Sequence, residues 1–397
     1  MQYGGEMIGK GSYGCIFHPY IPCKGERYTG KQHTNRLSKI FVMNVGHTFA
    51  DKEFKMNQNV KNLPKSASWA ELWNKKCIPI DYDELFEFDK DIFQCIQSRN
   101  ITKDEFNKNR VMLLGNYGGI TMLDYMKSLI QPDTFTKPKL FQQKLLQIIR
   151  KMRQLFIGLE ALTKYKISHL DINPTNILVK NNQMKFIDFG ESGMFRDKDI
   201  FQERSYKVFM EDRVYIPYPI DFIYLYGDKQ IIRDEIKDLK RNIYRLFWDE
   251  YATIHKLFFG RTFMDEHYKD VLHGNIHVNV ASINETIDIY SLGMLLPYGI
   301  ILLLLEYNIP MNILQNLLYH EYIHKELLDY IYLFTDMTEL DSTKRITSKE
   351  ALQRFQSIGT LSKKSSTTKK PMKHSIKLKK SPKKKNLSKN KSTYKYK

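Results

Sequence analysis

Cysteine is scarce in this chain: Cys15, Cys23, Cys77 and Cys95 are the only four among 397 residues. None forms a C-x-x-C pair, and no histidine cluster lies at metal-ligand spacing. Neither a disulfide framework nor a zinc site is indicated, and four reduced thiols in a cytosol-like compartment are expected. The N-terminal text MQYGGEMIGKGSYG has no apolar signal core, so secretion is not expected. Acidic residues are missing from 360–397, a stretch that holds fifteen lysines. Of the net charge of +18, only +3 then belongs to residues 1–359. This distribution speaks for a globular body with a cationic tail and against a whole-surface nucleic-acid binder. The tail also lacks the apolar content needed to offset the entropy of ordering, so 360–397 is expected to be disordered.

Charged side chains are absent from Ile289 to Leu305, IYSLGMLLPYGIILLLL. This run only reaches the lower limit of a membrane span, about 17–25 residues. It contains Gly293, Pro297 and Gly299 and is bounded by Asp288 and Glu306. A buried core helix is expected, and no membrane span.

What remains has the composition of a globular protein, 42% hydrophobic and 27% charged. GGEMIGKG and YGCIFHPY read as two strands about a glycine turn, and LSKIFV as a third. PCKGERYTGKQHTN between them is turn-rich. Residues 50–62 have helical character, and a β-like segment follows at Arg110–Leu114, before the turn Gly115–Gly119. From Lys139 to Lys164, Leu145, Ile148, Ile149, Met152, Leu155, Phe156, Leu159 and Leu162 recur at helical spacing. Short β runs are expected at Asn176–Val179 and Met184–Ile187, and mostly helix after about residue 230. The order is a small β-rich part followed by a larger helical one, with no internal repeat.

Three motifs carry chemistry. In Gly9-Lys10-Gly11-Ser12-Tyr13-Gly14-Cys15-Ile16 a strand follows the third glycine. A dinucleotide fingerprint would open a helix there, so a flap over nucleotide phosphates fits better, with a plain glycine turn as the alternative. In His169-Leu170-Asp171-Ile172-Asn173-Pro174-Thr175-Asn176, Asp171 can accept a proton from a hydroxyl and Asn176 can offer a carbonyl oxygen to a hard metal ion. In Ile187-Asp188-Phe189-Gly190, a carboxylate at a strand end is placed to bind Mg²⁺ bridging phosphates.

Together these residues resemble the protein kinase family, whose signature is a glycine-rich loop, a lysine, H-x-D-x-x-x-x-N and then D-F-G. The resemblance covers roughly residues 5–355. It implies an α+β, bilobal kinase-like fold, with a β-rich N-lobe over 1–118 and a helical C-lobe over 119–359. An insertion lies at about 225–280, and 360–397 forms the basic tail. The resemblance implies ATP and Mg²⁺ as cofactors and serine or threonine of a protein as acceptor. Ile8, Gly9, Gly11, Ser12, Gly14 and Ile16 would enclose the nucleotide, with its adenine against Leu114–Gly119. Lys39 on the third strand would bind the α/β-phosphates, held by Glu53, with Glu71, Glu84 or Glu87 as other candidates. Asn176 and Asp188 would hold the metal, and Asp171 would orient and deprotonate the acceptor. Asp288-Ile289-Tyr290-Ser291-Leu292-Gly293 is similar to the family's D-x-W-S-x-G, and Arg345 to its late arginine, whose partner here would be Asp221. GSYGCIFHPYIPC with SKIF and HLDINPTNIL is further similar to kinases of giant DNA viruses. That likeness implies an intracellular site of action, in host cytoplasm or virion, and the tail would permit the nucleus.

Two departures stand out. Leu170 replaces the arginine that ordinarily binds an activation-loop phosphate, and Asn173 replaces a lysine that contacts the transferred group. The insertion, with Ile231–Leu257 lysine- and aromatic-rich, is either a packed helix pair or a substrate-selecting element. The tail suits non-specific contact with a polyanion such as nucleic acid. Two other functions stay open: a pseudokinase or ATP-binding scaffold acting through the tail, and a small-molecule kinase of the choline and aminoglycoside type.

Overall fold

The apolar positions of GCIFH, RLSKIF and VMLLGN can be buried only by pairing these segments side by side. The computed structural model, which describes residues 6–10, 14–26, 35–41, 46–88, 95–96, 100–210, 217–219, 222, 225, 253–260, 280–319 and 323–365, shows them doing so. Strands β1 (Glu6–Lys10), β2 (Gly14–His18), β3 (Arg36–Phe41), β4 (Lys75–Cys77) and β5 (Val111–Asn116) form an antiparallel sheet in the order β1-β2-β3-β5-β4. Strands β3 and β5 are the most deeply buried of the sheet, each with five buried positions of six, and β3 keeps Ser38 and Lys39 among them. The edge strand β1 alternates between exposed and half-buried positions, and its register shifts between Met7 and Gly9. Helix α1 (Gly46–Lys61) packs against β3 and β5. Its buried face is Ala50, Glu53, Met56, Asn57 and Val60, a helical stripe with one carboxylate in it.

The cysteines correct the expectation of free thiols. Cys15–Cys95 and Cys23–Cys77 are disulfides, with Cα atoms 6.3 and 6.0 Å apart. Cys15 lies on β2 and Cys77 on β4 of the same sheet, and Cys23 is brought up to the β4 region by a bridge to Pro79. Local spacing carries no trace of partners that only the sheet brings together.

The larger part is helical around a long apolar helix. Short strands β6 (Ile120–Thr121), β8 (Ile177–Lys180) and β9 (Gln183–Phe186) pair in one small sheet, and β7 (Ile167–Ser168) pairs with β10 (Gly193–Met194). Helix α2 (Ser66–Trp69) follows α1, α3 (Tyr82–Phe88) and α4 (Lys103–Asn109) lie before β5, and α5 (Met122–Leu129) follows β6. The helical stretch expected over 139–164 is two helices, α6 (Pro138–Lys151) and α7 (Arg153–Lys164). They part at Met152, whose N–H bonds the carbonyl of Ile149 three residues back, so the α-helical ladder is broken there.

After α8 (Lys198–Met210) comes α9 (Val280–Glu306). By length and composition α9 could cross a membrane, yet 89% of its apolar window is buried within the protein. Helices α10 (Ile313–Leu318), α11 (Lys325–Met337) and α12 (Ser348–Ser365) complete the layer. Helix α12 overrides the expected disorder for residues 360–365. Ala351 and Phe355 anchor it, Phe355 stacking on Phe156 at 4.2 Å, and helix propagation carries it past the last packed turn. Residues 366–397 lie outside the described residues. So does most of the insertion, of which 253–259 is helical and buries Phe258 and Phe259.

The Cys15–Cys95 disulfide closes a sequence separation of 80 residues. Its loss is expected to lower the unfolding free energy by about 2–5 kcal/mol. Denaturant unfolding of C15S/C95S against the parent chain checks this, and an unchanged midpoint would contradict it.

Candidate active site

The site begins with a buried lysine. Lys39 lies on β3 opposite Ile16 of β2 and Leu113 of β5, and pleating aims its side chain toward α1. Its Nζ lies 2.7 Å from Glu53 Oε2 and 3.3 Å from Asp188 Oδ1. Glu53 is 2% exposed, and its other oxygen accepts from Trp73 Nε1 at 2.5 Å, so both carboxylate oxygens are engaged. Burial works against the charge on Lys39, but the carboxylates of Asp188 and Glu53 outweigh it and raise its pKa. Burial would likewise raise Asp188, yet the Lys39 charge prevails and holds it below the ordinary carboxylate value. A Cβ at Gly190 would lie 3.1 Å from Asp188 Oδ1 and 3.4 Å from Glu53 Oε2, so glycine keeps this ion group uncrowded.

The glycines of the first motif differ in their reasons. A Cβ at Gly14 would stand 2.2 Å from the carbonyl oxygen of Ile40, which reserves that position for the close approach of β3. Among the described residues, the nearest neighbour of a Cβ at Gly9 would be Ile16, at 3.6 Å, an ordinary contact. Ile8 is 48% exposed and Ile16 half-buried. Gly11 and Ser12 lie outside the described residues.

The loop that carries Asp171 and Asn176 hangs from α9. Asp288, buried near the start of that helix, accepts the backbone N–H of His169 at 2.6 Å and of Leu170 at 3.1 Å. Leu170 is fully buried at φ 58°, a conformation that costs a bulky residue about 1–3 kcal/mol. Asp188 shares it at φ 59°. Two bonds tie the loop to the D-F-G strand end, both through the backbone of Ile187, the residue before Asp188. Ile187 N–H donates to Asn176 O at 3.1 Å, and His169 Nε2 to Ile187 O at 3.0 Å. Phe189 is fully buried beneath the His169 ring, centroids 4.6 Å apart.

Within the loop, Asn176 Nδ2 donates to Asp171 Oδ2 at 2.6 Å and to Asp171 O at 3.0 Å, which turns the Asn176 carbonyl oxygen away from Asp171. Asn173 Oδ1 accepts from Thr175 N at 2.8 Å, Thr175 Oγ1 at 2.5 Å and Asn176 N at 3.2 Å. The residue that replaces the family's lysine is therefore a loop former. Arg204 of α8 fills the space beyond. Its Nη2 lies 3.2 Å from Asp171 Oδ1, and its Nε donates to Tyr218 OH at 2.9 Å. Tyr218 OH in turn donates to Leu170 O.

The structure thus brings Lys39, Glu53 and Asp188 into one ion group, and hydrogen-bonds Asp171 to Asn176 beside a second one, that of Asp171 with Arg204. Glu71, an alternative partner for Lys39, pairs with Lys185 at 2.9 Å instead. The Glu84 side chain is exposed, and that of Glu87 is outside the described residues. Asp221 also lies outside them. The described partners of Arg345 are Glu339 O, Leu340 O and Thr286, with its guanidinium over the Tyr290 ring. Leu114, in the stretch expected to face adenine, lies buried on β5.

Reading the residues alone misses Trp73, Arg204 and the anchoring part of Asp288. For Arg204 a signal exists: a loop that lacks its cation implies one supplied from elsewhere, but nothing local separates Arg204 from other charged positions of its helix.

A five-stranded sheet lying before a helical layer, with these ion groups between them, is the architecture of a kinase fold. Residues 90–217 match the family model of the protein kinase domain. The match takes in the catalytic loop, D-F-G and Arg204, and supports a phosphotransferase. No curated protein matches the chain.

His169 makes the site sensitive to acid. Its Nε2 must carry the proton donated to Ile187 O, and its buried Nδ1 has no hydrogen-bond partner among the described residues. Protonating Nδ1 would create a buried N–H without an acceptor, so burial holds the His169 pKa below its ordinary value of 6.5. Between that lowered value and 6.5 the unfolded chain binds more protons, so stability falls as pH drops below 6.5. The stability advantage of wild type over H169Q, read from thermal unfolding, is expected to shrink from pH 7.5 to pH 5.5. A constant gap would contradict it.

Proposed function

We propose that the chain is an ATP- and Mg²⁺-dependent protein kinase that transfers the γ-phosphoryl group to serine and threonine hydroxyls. One juxtaposition carries the reading: Asp188 is paired with a buried lysine, and the backbone beside it is bonded to the loop that presents Asp171 and Asn176. A transfer of this kind needs positioning and charge stabilisation more than covalent chemistry.

Among the described residues no group of three or more His, Cys, Asp or Glu could hold a metal ion alone. That suits Mg²⁺, which takes one or two protein oxygens and otherwise phosphate oxygens and water. Asp188, ionised and 39% exposed, and the outward-turned carbonyl of Asn176 would hold it. When bound, the ion neutralises charge on the phosphates. Lys39, fixed by Glu53, would bind the α/β-phosphates. Gly9, Gly11 and Gly14, with Ile8, Ser12 and Ile16, would close over the nucleotide. Asp171 would orient the acceptor hydroxyl and take its proton.

The serine/threonine preference, the lobes over 1–118 and 119–359 and the insertion follow from the family resemblance. Contact of the 360–397 tail with nucleic acid or another polyanion follows from its fifteen lysines. An intracellular, viral setting rests on the likeness of residues 11–23 and 169–178 to giant-virus kinases.

Phosphate transfer from labelled Mg-ATP to the chain itself and to a mixed protein substrate tests the reading. D171N is expected to lose about 10²–10⁴-fold in rate with nucleotide binding kept. D188A is expected to lose Mg-dependent nucleotide binding. Label on serine and threonine would establish the acceptor. Unchanged turnover in D171N would overturn the assignment, and label that appears only on a small-molecule acceptor would redirect it.

A further inference from the structure

The loop lacks a cation of its own, because the neutral Asn173 stands where a lysine would; its Oδ1 accepts from Thr175 and Asn176, and its Nδ2 donates to Asp171 Oδ1 at 3.3 Å without bringing charge. Yet a cation stands at the reacting centre. We propose that Arg204, reaching in from α8, supplies the positive charge that the loop omits, steadying Asp171 and the phosphoryl group as it passes to the acceptor. The inference rests on the kinase reading given above.

Three observations carry it. First, Arg204 is built in. Phe201, Arg204 and Ser205 share one helix face, Phe201 and Ser205 are buried, and the Arg204 side chain is only 16% exposed. Second, it is clamped. Nε is bonded to Tyr218 OH at 2.9 Å, the guanidinium stands 5.5 Å from the Tyr218 ring centroid, and Glu191 Oε2 lies 3.9 Å from Nη1. Tyr218 is itself bonded to Leu170 O, the residue before Asp171. Third, the contact with Asp171 Oδ1 at 3.2 Å puts the charge beside the atoms that react. The hydroxyl that Asp171 orients must lie between this carboxylate and the phosphorus. A planar guanidinium suits that place, since its donors can serve a carboxylate and a phosphoryl oxygen together.

The same contact could be pictured as a plug over Asp171. The surroundings favour a working part. Lys39 and Glu53 are paired, Phe189 is seated beneath His169, and the loop is bonded to the D-F-G strand end, so Arg204 displaces none of the other groups. The brace also uses no phosphate. Tyr218 and Leu170 make by a hydroxyl and a carbonyl the link for which an arginine and a phosphorylated residue would otherwise be needed.

Steady-state transfer from Mg-ATP, with thermal unfolding as the check on folding, tests this. R204Q is expected to lower kcat by about 10²-fold with the KM for ATP unchanged. R204K is expected to keep part of the rate, and N173K in the R204Q background to recover part of it. Y218F, which keeps the charge and removes its hydroxyl brace, provides a second variant should R204Q fail to fold. It is expected to lower kcat with the KM for ATP kept. A rate in R204Q or Y218F equal to or above wild type overturns the inference, an increase marking a plug. Wild type that is active and silenced by D171N but not by R204Q overturns this inference alone. Wild type with no transfer to any acceptor overturns the kinase reading and this inference with it.

Discussion

Most of the site depends on one buried carboxylate. Asp288 is 5% exposed, and burial raises its pKa, opposed by His169 and by the two backbone N–H groups that it accepts. Those two bonds hold His169 and Leu170 to the central helix and keep Leu170 in a strained backbone conformation. Everything downstream takes its position from that hold. His169 seats Phe189 and bonds Ile187, Asp188 then faces Lys39, and Asp171 and Asn176 stand beyond on the same loop. A long apolar helix is what makes such an anchor rigid, because its surroundings are close-packed and cannot give by a fraction of an ångström without cost.

The two parts of the molecule meet through charge. Lys39 belongs to the sheet and Asp188 to the helical part, and their pairing at 3.3 Å bridges the two. Glu53 and Trp73 fix the lysine from its own side. Because Asp188 is shared between this ion group and the metal-binding part proposed for it, nucleotide and metal binding would redistribute an electrostatic arrangement that already exists.

Legibility in the sequence followed the range over which each signal acts. Strands β2, β3 and β5 and the core helix announce themselves through local apolar pattern and through missing charge. The break at Met152 does not, since the apolar stripe runs on through it and only a backbone hydrogen bond changes partner. The grouping of Lys39 with Glu53 came from a family resemblance; no periodicity links two residues on different elements. The disulfides escape the sequence for the same reason, as separations of 80 and 54 residues close only once the tertiary fold has brought the partners together. Arg204 illustrates the limit most clearly, because its meaning comes from what Asn173 does not provide.

Gly9 and Gly14 belong to one motif yet answer to different masters. Gly14 is held by the backbone of β3, with no room for a methyl group, whether or not a nucleotide ever binds. Gly9 has room on the protein side, so any demand for glycine there would come from outside the fold. In a lineage that lost catalysis, position 14 would stay frozen while position 9 drifted. The first glycine of the motif therefore answers to whatever lies over the sheet, and the last to the sheet itself.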